Sequence, residues 1–241
     1  ETVAELLAGA RSTQDKQIRA VITPHAGYVY SGVVAAEAFA GLKAQKGSIH
    51  RLVVIGPAHF VYLRGIAAPG ASAFRTPLGD VPVDTAAVAE IADLPQVVID
   101  DQPHAPEHAL EVELPFLQAT LGTVPIVPLL VGSVQAEEVA EVLHWLWDAR
   151  TLVVVSSDLS HHHDYGAAKR LDAATAEAIE RFDEKAIGSN DACGSAAVRG
   201  MLIEARRQGL GIERLDLRNS GDTAGDRHRV VGYGAWVVLK T

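Results

Sequence analysis

Ten histidines are spread along 241 residues, and several stand where chemistry is possible. His25 follows an apolar run in Thr23-Pro24-His25-Ala26-Gly27-Tyr28. His59 follows another in Gly56-Pro57-Ala58-His59-Phe60. A third run leads into Ser156-Ser157-Asp158-Leu159-Ser160-His161-His162-His163-Asp164. His108 lies in Glu107-His108-Ala109-Leu110-Glu111-Val112-Glu113, and a late polar stretch runs Asn219-Ser220-Gly221-Asp222-Thr223-Ala224-Gly225-Asp226. Imidazoles and carboxylates gathered at one edge of a fold suit a divalent transition metal. Two neutral imidazoles and one carboxylate leave positions open for substrate and oxygen. A further imidazole, with an ordinary pKa of ~6.5, can act as general acid or base.

Each residue also has a plainer reading. A single His after a strand ordinarily caps or hydrogen-bonds the chain; two at equivalent strand ends point to a shared ligand. Three consecutive histidines cannot all face inward, so one of His161, His162 and His163 is expected in the site. Ser156-Ser157-Asp158 reads either as part of that site or as a helix cap. Gly221 and Gly225 read as turn residues capped by Asp222 and Asp226. Cys193, in Asp191-Ala192-Cys193-Gly194-Ser195 at an expected helix start, reads as a buried packing residue or as a thiolate nucleophile beside a His. His50, His104, His144 and His228 have no partners in sequence and are expected at the surface.

The elements that must position these groups follow from the apolar pattern. Ile18 to Thr23, Arg51 to Gly56, Gln96 to Ile99, Val124 to Val131, Thr151 to Val155, Leu215 to Leu217 and Val230 to Leu239 read as strands. Ser31 to Ala44 (N-cap Ser31), Asp84 to Leu94 (capped by Asp84 or Thr85), Gln135 to Asp148, Tyr165 to Arg181 and Cys193 to Gln208 read as helices. Trp145 and Trp147, two apart on a helix, cannot share a face. Continuous Val/Ile/Leu runs between amphipathic helices predict a three-layer α/β/α fold with a mostly parallel central sheet, one domain over residues 1–241. In such sheets ligands bind beyond the carboxyl ends of the strands, where the histidines stand.

Composition narrows the class. A net charge of −9 argues against nucleic acid as the main partner, since phosphate binding needs a basic footprint. A lone Cys excludes an internal disulfide and a Cys-rich zinc site. No apolar run approaches the ~18–20 residues of a membrane span. No signal-peptide pattern is read, and a cytoplasmic protein is expected.

Pro24-His25-Ala26-Gly27-Tyr28, followed by Tyr30-Ser31-Gly32, resembles the signature of the Memo family. Its prokaryotic branch is called the AmmeMemoRadiSam system protein B. The likeness continues through Gly56-Pro57-Ala58-His59, Glu107-His108-Ala109-Leu110-Glu111, Leu114-Pro115-Phe116, Ser156-Ser157-Asp158-Leu159-Ser160-His161, Cys193-Gly194, Asn219-Ser220-Gly221-Asp222 and Val230-Val231-Gly232-Tyr233, nearly the whole chain in order. The family in turn resembles class III extradiol dioxygenases, which are non-haem Fe(II) enzymes. That resemblance implies Fe(II) first, with Cu or Zn as alternatives, and His25 and His59 as metal ligands. It implies His161 as the acid–base catalyst and His108 as a second active-site histidine. The dioxygenases' third ligand is a carboxylate near the C-terminus. Animal Memo proteins are similar in layout but carry a Cys in that region, and no Cys follows Cys193 here. Thr223 aligns opposite that Cys with Asp222 beside it, so Asp222 is the expected third ligand, in a site near a 2-His-1-carboxylate iron centre. The copper and redox chemistry of the animal proteins then transfers poorly. Glu111 and Asp158 are expected behind the imidazoles, fixing their tautomers.

Three functions follow as expectations. One is a non-haem iron-dependent oxidoreductase of dioxygenase type acting on a small substrate. Another is a non-catalytic binding or scaffold protein of a system with AMMECR-domain and radical-SAM partners. The third is a metal-assisted hydrolase. The phosphopeptide role proposed for animal members fits poorly, because no cluster of phosphate-binding arginines is evident.

Overall fold

Four apolar runs become the middle of the sheet. In the computed structural model, which describes residues 2–11 and 17–240, the elements in chain order are α1 (Thr2–Gly9), β1 (Ile18–Thr23), α2 (Tyr28–Ala40), β2 (Arg51–Pro57), β3 (Ile66–Ala68), β4 (Ala73–Thr76), β5 (Gly79–Pro82), α3 (Thr85–Ile91), β6 (Val97–Ile99), α4 (Leu114–Leu121), β7 (Ile126–Val131), α5 (Ala136–Leu146), β8 (Thr151–Ser156), β9 (His161–His163), α6 (Tyr165–Glu180), α7 (Ser195–Arg207), β10 (Leu210–Asn219) and β11 (Val230–Lys240). The main sheet has the order β10-β11-β1-β8-β2-β7-β3-β6, with β9 paired to β11. β1, β8, β2 and β7 are mutually parallel; on one side β11 is antiparallel to β1 and β10 antiparallel to β11, and on the other β3 is antiparallel to β7. The four central strands are buried along almost every residue because helices cover both faces. α1, α2 and α4 pack together in one layer, and α3, α5 and α7 in the other. Each fully buried Val, Ile or Leu contributes roughly 1.5–3 kcal/mol by leaving water, which offsets the ordering of the polar strand ends.

The three-layer fold is the one the apolar pattern predicts, with boundary corrections. Ser31 does not cap its helix. α2 begins at Tyr28, and the Ser31 hydroxyl inside it donates to the Ala26 carbonyl at 2.7 Å. Past Ala40 the chain tightens into a 3-10 turn over Gly41–Gln45 instead of continuing as α-helix. The last helix starts at Ser195, after Cys193, and the short strand expected at Leu215 to Leu217 extends over all of β10. Trp147 is buried and donates to the Arg19 carbonyl, while Trp145 is exposed, so the two do occupy different faces. Among the described residues no helix is long and apolar enough to cross a membrane.

Asp84 caps α3 as read: its carboxylate accepts from the Ala87 N–H at 3.0 Å and from Arg51 Nε at 2.8 Å. Burial alone would raise its pKa, but these donors outweigh it and hold the carboxyl below the usual range. The contribution is therefore present above the ordinary carboxylate range and is lost as pH falls through the lowered value. Asp84→Ala is expected to cost about 1–2 kcal/mol in urea unfolding at pH 7, with a smaller difference in acid. Equal midpoints at pH 7 would show that the cap carries no weight.

Candidate metal centre

Parallel neighbours end on the same edge, so β1, β8, β2 and β7 deliver their following loops to one place. Pro24 and Pro57 bring His25 and His59 there within two residues of their strand ends. The ring centroids of His25 and His59 lie 5.2 Å apart, and His108 sits 5.6 Å from the first and 5.5 Å from the second. Cys193 completes the group from the turn before α7, its Sγ 3.4 Å from His25 Nε2. One donor atom each from His25, His59 and Cys193 lies within 4.8 Å of the others, a set that could hold a metal ion. Donors on a tetrahedral ion of the zinc type sit about 3.3–3.8 Å apart, so small rotations would close this set.

The supporting hydrogen bonds fit a metal. Ser156 Oγ lies 2.6 Å from the Ala109 carbonyl, which takes its single proton, so the Nδ1–H of His25, 2.8 Å away, donates to Ser156. His59 Nδ1 donates to Glu107 Oε1 at 3.0 Å. Both rings are thereby fixed through Nδ1, leaving Nε2 as the ligand nitrogen. Burial, then the neighbouring charges of His59 and His108, lower the pKa of His25 to about 3, so the ring is neutral and its lone pair available. Burial, with the Asp158 charge, pushes the Cys193 thiol up to about 12. That opposes a free thiolate nucleophile at a helix N-terminus; a metal ion bound there would take the sulfur lone pair and release the proton to solvent. A second group, His59, Glu107 and His108, shares the same edge. Its Glu107 carboxylate is already engaged by the backbone N–H groups of His59, His108 and Ala109, which suits a supporting role.

Several sequence expectations shift here. Asp222 is not brought to the cluster. Its carboxylate accepts from the Tyr165 hydroxyl at 2.6 Å and from the Asn219 N–H at 3.1 Å, capping the 3-10 turn Ser220–Asp222. Among the described residues Cys193, and not Asp222, stands with His25 and His59 in the set that could hold a metal ion. Glu111 is exposed and bonds no site histidine; Glu107, one turn earlier in the same segment, holds the His59 ring. Asp158 is buried and accepts from the backbone N–H of His25 at 2.9 Å, so it holds that residue's chain, not its ring. Burial raises its carboxyl to about 6, against the hydrogen bond from His25 and the charge of His161. Glu113, which sequence reasoning also missed, is fully buried 3.0 Å from Ser156 Oγ. Burial, with the Asp158 charge, raises its pKa well above the usual range. Ser156-Ser157-Asp158 does not cap the next helix; Asp164 does.

His161 is half-buried, and its Nδ1 donates to the Leu159 carbonyl at 2.8 Å, leaving Nε2 free. β9 pairs His161 with Val231 and His163 with Val230, and His162 between them takes a left-handed φ of 65°. His162 and His163 are exposed, so the three rings are separated as the steric argument requires. Of the histidines expected at the surface, His50 and His228 are exposed. His144 is exposed as well, paired with Glu204, and only His104 departs, partly buried against the Ala67 carbonyl.

Residues 1–237 match the family model described as "Memo-like protein". A "MEMO1 family protein" of Metallosphaera sedula is 33% identical over 237 residues, covering 92% of this chain and 83% of that one. Another, from Ignicoccus hospitalis, is 36% identical over 233 residues, covering 89% and 80%. Among solved structures, an uncharacterized protein from Escherichia coli K12 aligns with a TM-score of 0.59 at 15% identity, covering 93% of this chain and all of that one, a likeness of fold. The family match runs through every strand end that carries the clustered side chains, and the chain belongs to the Memo family.

Proposed function

We propose that this protein is a metal-dependent oxidoreductase of dioxygenase type acting on a small substrate, with a transition ion held by His25, His59 and Cys193. The observation that carries it is the pairing of two imidazoles, each anchored through Nδ1, beside a half-buried thiol. Two nitrogens and a sulfur suit iron, copper(I) or zinc, so the thiolate widens the choice beyond the iron implied by the dioxygenase likeness. When bound, the ion would supply Lewis acidity and, if iron or copper, electron exchange with substrate and oxygen. The chain's own residues do the rest. His161, held through Nδ1, presents Nε2 to move a proton; His108 faces the substrate; Asp158 fixes the chain at His25. The same reading places the protein in the cytoplasm, in one domain, beside AMMECR-domain and radical-SAM partners. The alternatives are a metal-assisted hydrolase and a non-catalytic scaffold.

Metal analysis of protein purified without oxygen tests the ion, and oxygen uptake against hydrolysis then separates the two reactions. A chain with no bound metal would favour the scaffold. For His161→Ala, metal content is expected to stay and turnover to fall roughly 10²–10⁴-fold, the usual share of a general acid or base. His163→Ala is expected to be mild. Equal turnover in His161→Ala would remove His161 from the mechanism.

A further inference from the structure

A cavity of about 510 Å³ opens beside the candidate metal centre, with His59 and Cys193 on its wall. It lies between the loop after β2, the loop after β7 and the start of α7. Its aliphatic side is formed by Val61, Leu63 and Val134, and its polar side by Ser189, Ser195 and Arg199. Ser195 and Arg199 are four apart on α7 and therefore share a face. No Asp or Glu lines this cavity, in a chain of net charge −9. Arg206 and Arg207, farther along the same helix, are paired with Glu184 and Glu204. Arg199 has no such partner among the described residues, and its Nε is sealed from solvent without a hydrogen bond. Arg199 lines the cavity with no acidic side chain beside it there, so its charge is left uncompensated on that wall. Beside it, α7 begins at Gly194 with no side-chain cap, so the first-turn N–H groups of Ala196 and Ala197, both residues of the cavity lining, have no intrahelical partner.

Resting on the proposed function, we infer that this cavity receives an oxyanion of the substrate, a carboxylate or a phosphate, on the Arg199 guanidinium. A guanidinium presents its N–H groups as a planar fork that matches either oxyanion, and the helix start adds further donors. The substrate's reacting portion would then extend from Arg199 towards Cys193 and His59. The substrate class is therefore a small anionic molecule with a short apolar stem facing Val61 and Leu63.

The test titrates the isolated protein with butyrate and, separately, with inorganic phosphate, following backbone amide shifts by NMR and measuring metal content in the same samples. At least one probe is expected to shift the Ser195, Ala196 and Ala197 amides. Which probe binds identifies the oxyanion. Arg199→Gln is expected to weaken that probe about 10- to 100-fold, the usual effect of losing a charge-assisted pair, with partial recovery in Arg199→Lys. Arg150→Gln, at an exposed position away from the cavity, serves as control and is expected to match wild type. Neither probe binding, or equal binding in wild type and Arg199→Gln, would overturn the inference. Arg199-dependent binding in a wild-type chain that carries no metal would support the oxyanion site while sinking the metal reading.

Discussion

Cys193→Ser is expected to lose most of the bound transition metal, while Asp222→Ala keeps it. The two variants separate the donor set seen in the structure from the one the resemblance implied. Cys193 Sγ stands 3.4 Å from His25 Nε2, whereas both Asp222 oxygens are occupied by Tyr165 and Asn219. Removing a supporting hydrogen bond typically weakens metal binding about 10- to 100-fold, and removing a ligand atom should exceed that. Cys193→Asp is expected to retain binding but to shift preference from copper or zinc towards harder ions, since a carboxylate oxygen replaces sulfur. His25→Ala with His59→Ala should abolish stoichiometric binding altogether. Competition with a chelator, read by elemental analysis, measures all four. Full metal content in Cys193→Ser together with loss in Asp222→Ala would restore the carboxylate and remove the thiol from the site.

The two histidines are legible in the sequence for a simple reason. Each follows a continuous apolar run by two or three residues, and runs such as Arg51 to Gly56, short and rich in Val and Ile, read as interior parallel strands. The edges are less legible. β3 has three residues, and β10 mixes buried and exposed positions without clean alternation, so neither shows a strong period. The Cys193 contact spans 168 residues and depends on how α7 meets the end of β8. There the Gly194 N–H donates to Ser157 Oγ, and the Cys193 N–H to the Asp158 carbonyl. Gly194 permits this approach, since an added Cβ would come within 2.7 Å of Ser157 Cβ. A Cys-Gly pair was the signal available, but packing alone reveals what the thiol faces. The choice of Glu107 over Glu111 was hidden for a related reason. Both carboxylates flank His108, and the irregular turn between them sets which one reaches His59.

The loop that carries His59 depends on a second close approach, and Gly132→Ala is expected to destabilise the fold by roughly 2–3 kcal/mol, near the upper end for overpacking. Gly132 directly follows β7. Its N–H donates to the Gly65 carbonyl at 2.9 Å, and the next residue's N–H donates to the Leu63 carbonyl at 2.8 Å. These two bonds strap the loop after β2 to the end of β7. A Cβ at Gly132 would lie 2.1 Å from the Leu63 carbonyl oxygen and 2.7 Å from its carbonyl carbon. The obstacle is backbone, so no side-chain rotation relieves it, and the strap must move outward. His59 and the cavity wall at Leu63 belong to that loop, so the same change should also weaken metal binding. Gly9→Ala provides the contrast, because an added Cβ there meets nothing within 4 Å; it is expected to fall within about 0.5 kcal/mol of wild type. Thermal and urea unfolding, with metal content on the same samples, decide the matter. A Gly132→Ala variant as stable as Gly9→Ala would mean that the loop has room to give, and that His59 is not held in place by this strap.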